Sequence, residues 1–274
     1  MEKAMLTSWG ATLHKTAVSC MTVATMSALP LTAHSAEMTA RQVTTALFNT
    51  SADQPLDLSG KDLSKLDLGD LDFKGANLTG ANLYGTDLSS SNLSLVLLSG
   101  AHLDRATITG ANFGGADLSR ATILRPNVFS TMEIDVRELP NFENAKMIDA
   151  NISGRLDRIS FRGADLTGTF FGPRNPDGET LITPRIEMNG CDFTDAKLRK
   201  ADLSLNNVQY AKFIDADLTG ANFTGANLSG ADFTGADVTE ADFTGAVVDG
   251  AHFKDAKSLD RAKGLEPVAA KVDP

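Results

Sequence analysis

Arginine, whose planar guanidinium group suits carboxylate and phosphate recognition, is concentrated in the middle of the sequence. Ten of the twelve arginines lie between Arg105 and Arg199. Five stand near two interruptions of the sequence pattern: Arg155, Arg158, Arg162, Arg174 and Arg185. With Asp177 and Glu179 they form the candidate interaction surface. Neighbouring acidic residues could equally balance these charges on an exposed surface, so a binding role and simple charge balance both stay open.

A second charged feature is acidic. The stretch from Asp215 to Asp249 holds seven Asp or Glu residues and no Lys or Arg. Such a wall of carboxylates could imitate the phosphates of DNA, but a repeat with an outward Asp position produces the same pattern. The chain has a formal net charge of −10, which argues against nucleic acid or an anionic membrane as a direct partner and favours a basic partner or simply solubility.

Residue types that carry catalysis or bind metals are sparse. His102 and His252 occupy outward positions of the repeat, and no second ligand accompanies either at metal-binding spacing. Cys191 stands in an inward position normally filled by Ala, which predicts a buried, inert thiol. We find no Gly-rich phosphate loop and no spacing typical of a nucleophile and its base. The sequence therefore predicts a protein that is not an enzyme and that has no cofactor or metal.

Outside two interruptions, these residues are set on a repeat of five residues. From Ala216 to Phe253 each unit has a small residue, an Asp or Asn, a large apolar residue (here called the centre), usually Thr or Ser, and usually Gly. In an extended segment, residues two apart share a face, so the small residue and the centre point inward. The Gly indicates a corner. One short strand cannot bury its apolar side alone, so the units must stack into a solenoid.

The centres predict four units in each coil. From Leu218 onward they alternate between Phe and Leu or Val. If like stacks on like, each coil holds an even number of units, and two would leave no interior. Coils of twenty residues place Phe223 and Phe243 on one wall and an aromatic column on the opposite wall. The predicted column is Phe193, Phe213, Phe233 and Phe253. These rings are expected to pack the core rather than to hold a ligand.

The units ADLTG, ANFTG, ANLSG and ADFTG resemble those of pentapeptide-repeat proteins. This resemblance covers most of the chain and implies an all-β fold, a right-handed quadrilateral parallel β-helix. It implies no single function, because the family serves several unrelated roles. Some members mimic DNA, bind gyrase and protect it from quinolones.

The ends of the sequence differ from the repeat. Residues 1–35 have the charged start, the apolar run and the small-x-small end of a signal peptide. Residues 36–55 contain a predicted N-terminal capping helix with a capping box at Thr39 and Gln42. Its apolar stripe consists of Ala40, Val43, Leu47 and Phe48. A second short capping helix is expected to close the last coil.

The β-helix is predicted to occupy residues 56–265, followed by a disordered tail at 266–274. The centres leave the five-residue register twice, which predicts insertions at 130–144 and 172–185. A smaller slip of register is predicted at 155–158. Because loops on rigid scaffolds commonly carry function, the insertions are candidate contact regions.

The sequence favours an exported, non-enzymatic scaffold that binds an unknown protein partner. The signal peptide predicts the periplasm, whereas translation from Met38 would give a cytoplasmic protein. No membrane span is expected in the mature chain, and a homodimer stays open. One alternative is a DNA-mimicking protein that binds and protects gyrase, which requires a cytoplasmic location. A further alternative is a cell-wall or carbohydrate-binding module, although the mature chain offers only Tyr84 and Tyr210 for sugar stacking.

Overall fold

The computed structural model describes residues 37–51, 53–129, 138–172 and 185–265, all within the second of two compact units, Ser35–Pro274. The predicted signal peptide and tail lie outside these residues. The regular elements are helix α1 (Ala40–Asn49), strands β1 (Thr122–Leu124), β2 (Asn151–Ser153) and β3 (Phe170–Phe171), and a 3-10 turn at Leu259–Arg261. The strands pair in parallel in the order β1-β2-β3. No helix in the described part is long and apolar enough to cross a bilayer.

Isolated parallel bridges connect the chain to itself at a fixed spacing. Asp57 bridges Asn77, and Asn77 bridges Leu97, so the partners are 20 positions apart. The same spacing recurs from Asn207 through Lys257. Four five-residue units therefore make one turn of a parallel β coil, as the alternation of the centres predicts.

Within a unit, the small residue and the centre are buried and the residue between them faces outward. Ala221 and Phe223 are both fully buried, whereas Asn222 between them is partly exposed. The buried residues form one continuous hydrophobic cluster from Val43 in α1 to Leu265 after the 3-10 turn. The two-residue alternation thus gives the coil an apolar interior and a polar surface.

Phenylalanine rings form a continuous stack inside the coil. The column consists of Phe113, Phe142, Phe161, Phe193, Phe213, Phe233 and Phe253. Consecutive centroids lie between 4.7 and 5.4 Å apart. The predicted column contains the last four rings, and the first three extend it across both insertions. Phe223 and Phe243 stack on each other at 5.0 Å and meet the column edge-on. Each such pair stabilises the core by about 0.5–1.5 kcal/mol beyond area burial.

The last residue of each unit turns a corner with a positive φ. Gly often fills this position, as at Gly220 with φ 66°. Tyr210 adopts φ 56° instead, and its ring lies over Gly230, the corner residue of the next coil. A Cβ on Gly230 would come within 2.6 Å of that ring. A bulky corner residue is thus accommodated because the next coil has no side chain there.

The first insertion is shorter than predicted. Asn141 bridges Asn112, which lies 29 positions earlier, so nine residues are added to the usual 20. Phe142 already belongs to the aromatic column. The predicted end of this insertion at residue 144 is therefore wrong. Pro140 obscured the resumed repeat, because it occupies the small inward position and is itself buried.

The predicted register slip is a unit that is one residue short. Residues 141 and 160, which bridge, are nineteen positions apart. The missing residue lies between the buried centres Ile152 and Leu156, slightly ahead of the predicted slip at 155–158. Leu156 is a core residue that the five-residue spacing did not indicate, because it follows Ile152 after only four positions.

Helix α1 begins at the predicted capping box. The Gln42 N–H donates to Thr39 Oγ1 at 3.3 Å, and the Thr39 N–H donates to Gln42 Oε1 at 2.8 Å. Val43 and Leu47 are buried in the hydrophobic cluster. Phe48 is 83% exposed, so its predicted place in the apolar stripe is wrong. One position after Leu47, it points about 100° away around the helix.

Candidate functional site

The features that depart from the repeat meet at a surface pocket of about 340 Å³, called here the arginine pocket. It lies where β1, the short unit after β2 and the end of the second insertion come together. Its lining residues are Arg125, Pro126, Ser153, Gly154, Arg155, Arg185 and Glu187. Three of these seven lining residues are arginines.

Arg125 and Gly154 form one wall of the pocket. Arg125 is exposed at a corner with φ 52°, and its N–H donates to the Ser153 carbonyl at 2.8 Å. Gly154 has φ 132°, and a Cβ there would lie 3.2 Å from Pro126 Cδ and 3.3 Å from Arg125 Cα. The glycine therefore allows the shortened unit to pass close to the Arg125-Pro126 turn.

Arg155 is held from two sides. Its Nε donates to Asp157 Oδ2 at 2.8 Å. Oδ1 of Asp157, a buried residue, accepts from the N–H and the Nδ2 of Asn189, both at 2.9 Å. The guanidinium carbon lies 5.1 Å from the ring centroid of Phe129, a cation–π distance. Asp157 and Phe129 thus hold the guanidinium group of Arg155, while the residue as a whole stays exposed.

Arg185 and Glu187 stand where the second insertion rejoins the coil. Glu187 bridges Arg155, 32 positions earlier, so this insertion adds twelve residues. The Glu187 carboxylate accepts from Asn207 Nδ2 at 2.9 and 3.0 Å and from Asn189 Nδ2 at 3.1 Å. Its oxygens are thus already hydrogen-bonded to the coil. Arg185 is exposed, and no ion pair joins it or Arg125 to any other described residue.

Asn206 fastens the base of the second insertion, a role that the sequence analysis missed. Its Nδ2 donates to the Phe171 carbonyl at 2.8 Å, and its Oδ1 accepts the Ile186 N–H at 3.1 Å. Asn206 is 4% exposed. It joins the residues on either side of the insertion. The available signal was an amide in the inward position that the repeat reserves for Ala.

The structure separates the predicted interaction residues. Arg155 and Arg185 share the arginine pocket, whereas Arg158 and Arg162 do not line it. Arg158 turns a corner at φ 65° beside Gly190. Arg162 lies 3.7 Å from Asp192 and 3.6 Å from Asp195 in ion pairs, as charge balance predicts.

The other predicted surface residues, Arg174, Asp177 and Glu179, lie outside the described residues. Arg125, which does line the pocket, was not singled out from the sequence. Its signal was the Arg-Pro pair in place of a Gly corner followed by a small residue.

The acidic stretch is largely occupied by the fold itself. Oδ1 of Asp237 accepts from the N–H and Oγ1 of Thr239 at 3.0 and 2.5 Å. Asp217 accepts from Thr219 in the same way and pairs with Arg199. Burial favours the neutral form of Asp217, but the Thr219 hydroxyl and Arg199 outweigh it and lower the pKa of this carboxyl. These carboxylates act mainly as caps of the corners.

The remaining chemical candidates are satisfied. Burial raises the pKa of the Cys191 thiol, whose Sγ donates to the Leu156 carbonyl at 3.0 Å. It therefore stays protonated. His102 Nδ1 lies 3.2 Å from Thr122 Oγ1. Among the described residues no group of three or more His, Cys, Asp or Glu side chains is placed to hold a metal ion.

A second pocket, of about 470 Å³, lies beside the first insertion. Its lining residues are Ser89, Ser90, Thr107, Thr109, Gly110, Asn127 and Glu138. Hydroxyl groups dominate this surface, and its described lining residues include no Lys or Arg. It lacks the converging charges that distinguish the arginine pocket.

Comparison with known proteins identifies the repeat. The model of the family described as Pentapeptide repeats matches in eight copies, at residues 57–94, 96–123, 186–225 and 211–250. The stretch from 124 to 185, which contains both insertions and most of the arginine pocket, lies between these matches. Among curated proteins, none matches significantly.

Three solved structures illustrate the likeness. HetL, a pentapeptide repeat protein involved in heterocyst differentiation regulation in the cyanobacterium Nostoc, is 27% identical over 73% of this chain and 88% of its own, with a TM-score of 0.29. A pentapeptide repeat protein of the Arabidopsis thaliana thylakoid lumen is 28% identical over 47% and 77%, with a TM-score of 0.26. The plasmid-mediated fluoroquinolone resistance protein QnrB1 is 16% identical over 80% and 98%, with a TM-score of 0.29. TM-scores this low support no inference about function. The eight matched copies show that the chain belongs to the pentapeptide-repeat family.

Proposed function

We propose that the protein is a non-enzymatic scaffold that presents the arginine pocket to a protein partner. One observation carries this proposal: three arginines converge where the coil departs from its repeat. Arginine is enriched in protein interfaces, and two of the three have no counter-ion among the described residues. The outward Asp and Thr residues of the regular coils, by contrast, are engaged with their own corners.

The proposed architecture is a right-handed, four-sided β-helix with a helix at each end. The 20-residue bridge spacing and the single aromatic column support four units per coil. Helix α1 would cover the first coil, since Val43 and Leu47 join its core and Lys74 Nζ donates to the Leu47 carbonyl at 3.0 Å. The Leu259–Arg261 turn would close the last coil. Covered ends would prevent pairing with other chains.

The proposed location is the periplasm, reached through a signal peptide at residues 1–35. Support comes from the sequence of that segment alone. N-terminal sequencing of the mature protein, with fractionation of cells carrying a C-terminal tag, tests it. A shortened periplasmic species is expected. A cytoplasmic product that starts at Met38 would contradict export and would restore the gyrase-binding alternative.

Site-specific photo-crosslinking tests the scaffold role. A photoreactive amino acid replaces Asn127, an exposed residue that follows Pro126 of the arginine pocket and also lines the second pocket, or Thr224, an exposed residue of the regular coils. Crosslinking is done in the native cell on the full chain. We expect one discrete adduct from position 127 and none from position 224. Equal labelling at both positions, or none at either, would contradict the proposal.

A further inference from the structure

Although the net charge of −10 favours a basic partner for the chain as a whole, we propose that the arginine pocket binds a carboxylate group on an acidic peptide segment of the partner. This inference rests on the proposed scaffold function and adds the chemical class of the ligand. It is carried by the donor geometry, the charge balance and the accessibility of the pocket.

The donor geometry suits a carboxylate. Asp157 takes the Nε of Arg155, which leaves the two terminal nitrogens of that guanidinium group as donors. A carboxylate has two oxygens that accept such paired hydrogen bonds in one plane. Because Asp157 and the Phe129 ring already hold Arg155, binding restricts this side chain little further.

The charge balance favours a monoanion. Arg125, Arg155 and Arg185 face Glu187 and, through Arg155, Asp157. Three positive and two negative groups leave one positive charge, which one carboxylate neutralises. A phosphate group, with about −1.5 to −2 charge near neutral pH, would exceed this balance.

The pocket is accessible to a side chain rather than closed around a small molecule. All three arginines are exposed, and the pocket of about 340 Å³ is near the lower limit for small-ligand sites. An acceptor carried by a larger molecule would gain further contacts on the rim that a small molecule lacks. An extended segment rich in Glu or Asp has this form.

Fluorescence anisotropy with labelled hexaglutamate tests the inference on the full chain at low ionic strength. Arg125→Gln and Arg185→Gln should each weaken binding by about tenfold, because each removes one charge-assisted donor group. The matched control is Arg199→Gln, which removes the same charge from an exposed arginine paired with Asp217. It should change the dissociation constant less than about twofold. Circular dichroism confirms that the variants fold, and Arg155→Gln is avoided because it would leave buried Asp157 without its cation.

The inference would be overturned by no binding of hexaglutamate, by an equal loss with Arg199→Gln, or by tighter binding of a phosphoserine peptide. Free succinate serves as a competitor, and displacement at the same concentration as the peptide would contradict a macromolecular source of the carboxylate. The crosslink at position 127 keeps this test separate from the scaffold proposal. An adduct there without hexaglutamate binding would reject the carboxylate and leave the scaffold standing.

Discussion

The C-terminal coils, residues 188–253, and the middle of the chain, residues 122–187, are built on the same five-residue rule with different results. In the C-terminal coils the bridges keep a constant 20-residue spacing, and the outward carboxylates cap their own corners. In the middle the spacing changes from 29 to 19 to 32. There the polar residues hold the breaks together and leave arginines exposed around a pocket.

We infer that the outward polar side chains of a unit serve either the regular coil or the binding of a partner. A unit that obeys the repeat uses its polar side chain to satisfy its own backbone, so little remains for a partner. A unit that breaks the repeat needs special residues, such as Gly154 and Asn206, to close the coil. Once these residues close the coil, the side chains beside them are not needed to hydrogen-bond to their own corners.

The largest expected effect concerns the aromatic column that both regions share. Phe213→Ala removes a ring stacked at 5.0 and 4.9 Å on its two faces and should cost about 3–5 kcal/mol. Phe142→Ala, next to the first insertion, should cost less because the looser coil can relax around it. Urea unfolding followed by circular dichroism measures both. A larger loss of unfolding free energy for Phe142→Ala than for Phe213→Ala would contradict the expected difference between the two regions.

The next effect opposes what the repeat alone predicts. Asn206→Ala restores the residue preferred at the inward position, yet it should destabilise the protein by about 1–3 kcal/mol. It leaves the buried Phe171 carbonyl and Ile186 N–H without their partners. Asn227→Ala, at an outward position of the regular coils, is the control and should cost less. The unfolding temperatures of both variants and of the parent protein measure these effects. A higher unfolding temperature for Asn206→Ala than for the parent protein would contradict the role of Asn206 at the base of the second insertion.

Substitutions of two corner glycines should separate the cost of a left-handed backbone from the cost of a steric contact. Gly245→Ala and Gly230→Ala both force a residue with a Cβ into the left-handed region, at φ 69° and 67°, which costs about 1–2 kcal/mol. Nothing lies near a Cβ at Gly245, whereas at Gly230 the Tyr210 ring must also move. Gly230→Ala should therefore be the more destabilising variant in chemical denaturation. Equal stability of the two variants would contradict the interpretation that the Tyr210 ring needs the space left by Gly230.

The smallest effect is electrostatic. The folded-state pKa of Asp217 lies below its ordinary value of 3.8, so its stabilising contribution is present above that pH and is lost as the pH falls further. Asp217→Asn should lower stability near neutral pH by less than about 1 kcal/mol, since its partner Arg199 is largely exposed to solvent. The difference from the parent protein should disappear in strong acid. Urea unfolding at several pH values measures the stability of both proteins. A stability difference that persisted below the pKa of Asp217 in the folded protein would contradict this prediction.

Much of the coil follows from the sequence because one local rule is repeated. The alternation of Phe with Leu or Val was enough to predict which rings stack, such as Phe213 on Phe233. The breaks were harder to predict because they depend on contacts between distant residues. Pro140 fills a core position despite its usual role as a breaker, and Arg125 lines one pocket with Arg155 beside the unit that is one residue short after Ile152.

Nuclear magnetic resonance of the arginine Nε–H groups during titration with hexaglutamate tests whether binding is confined to the arginine pocket. We expect the signals of Arg125, Arg155 and Arg185 to shift. The signals of Arg162 and Arg199, which are held in ion pairs, should stay in place. Equal shifts at Arg199 would contradict the claim that recognition is confined to the break in the repeat.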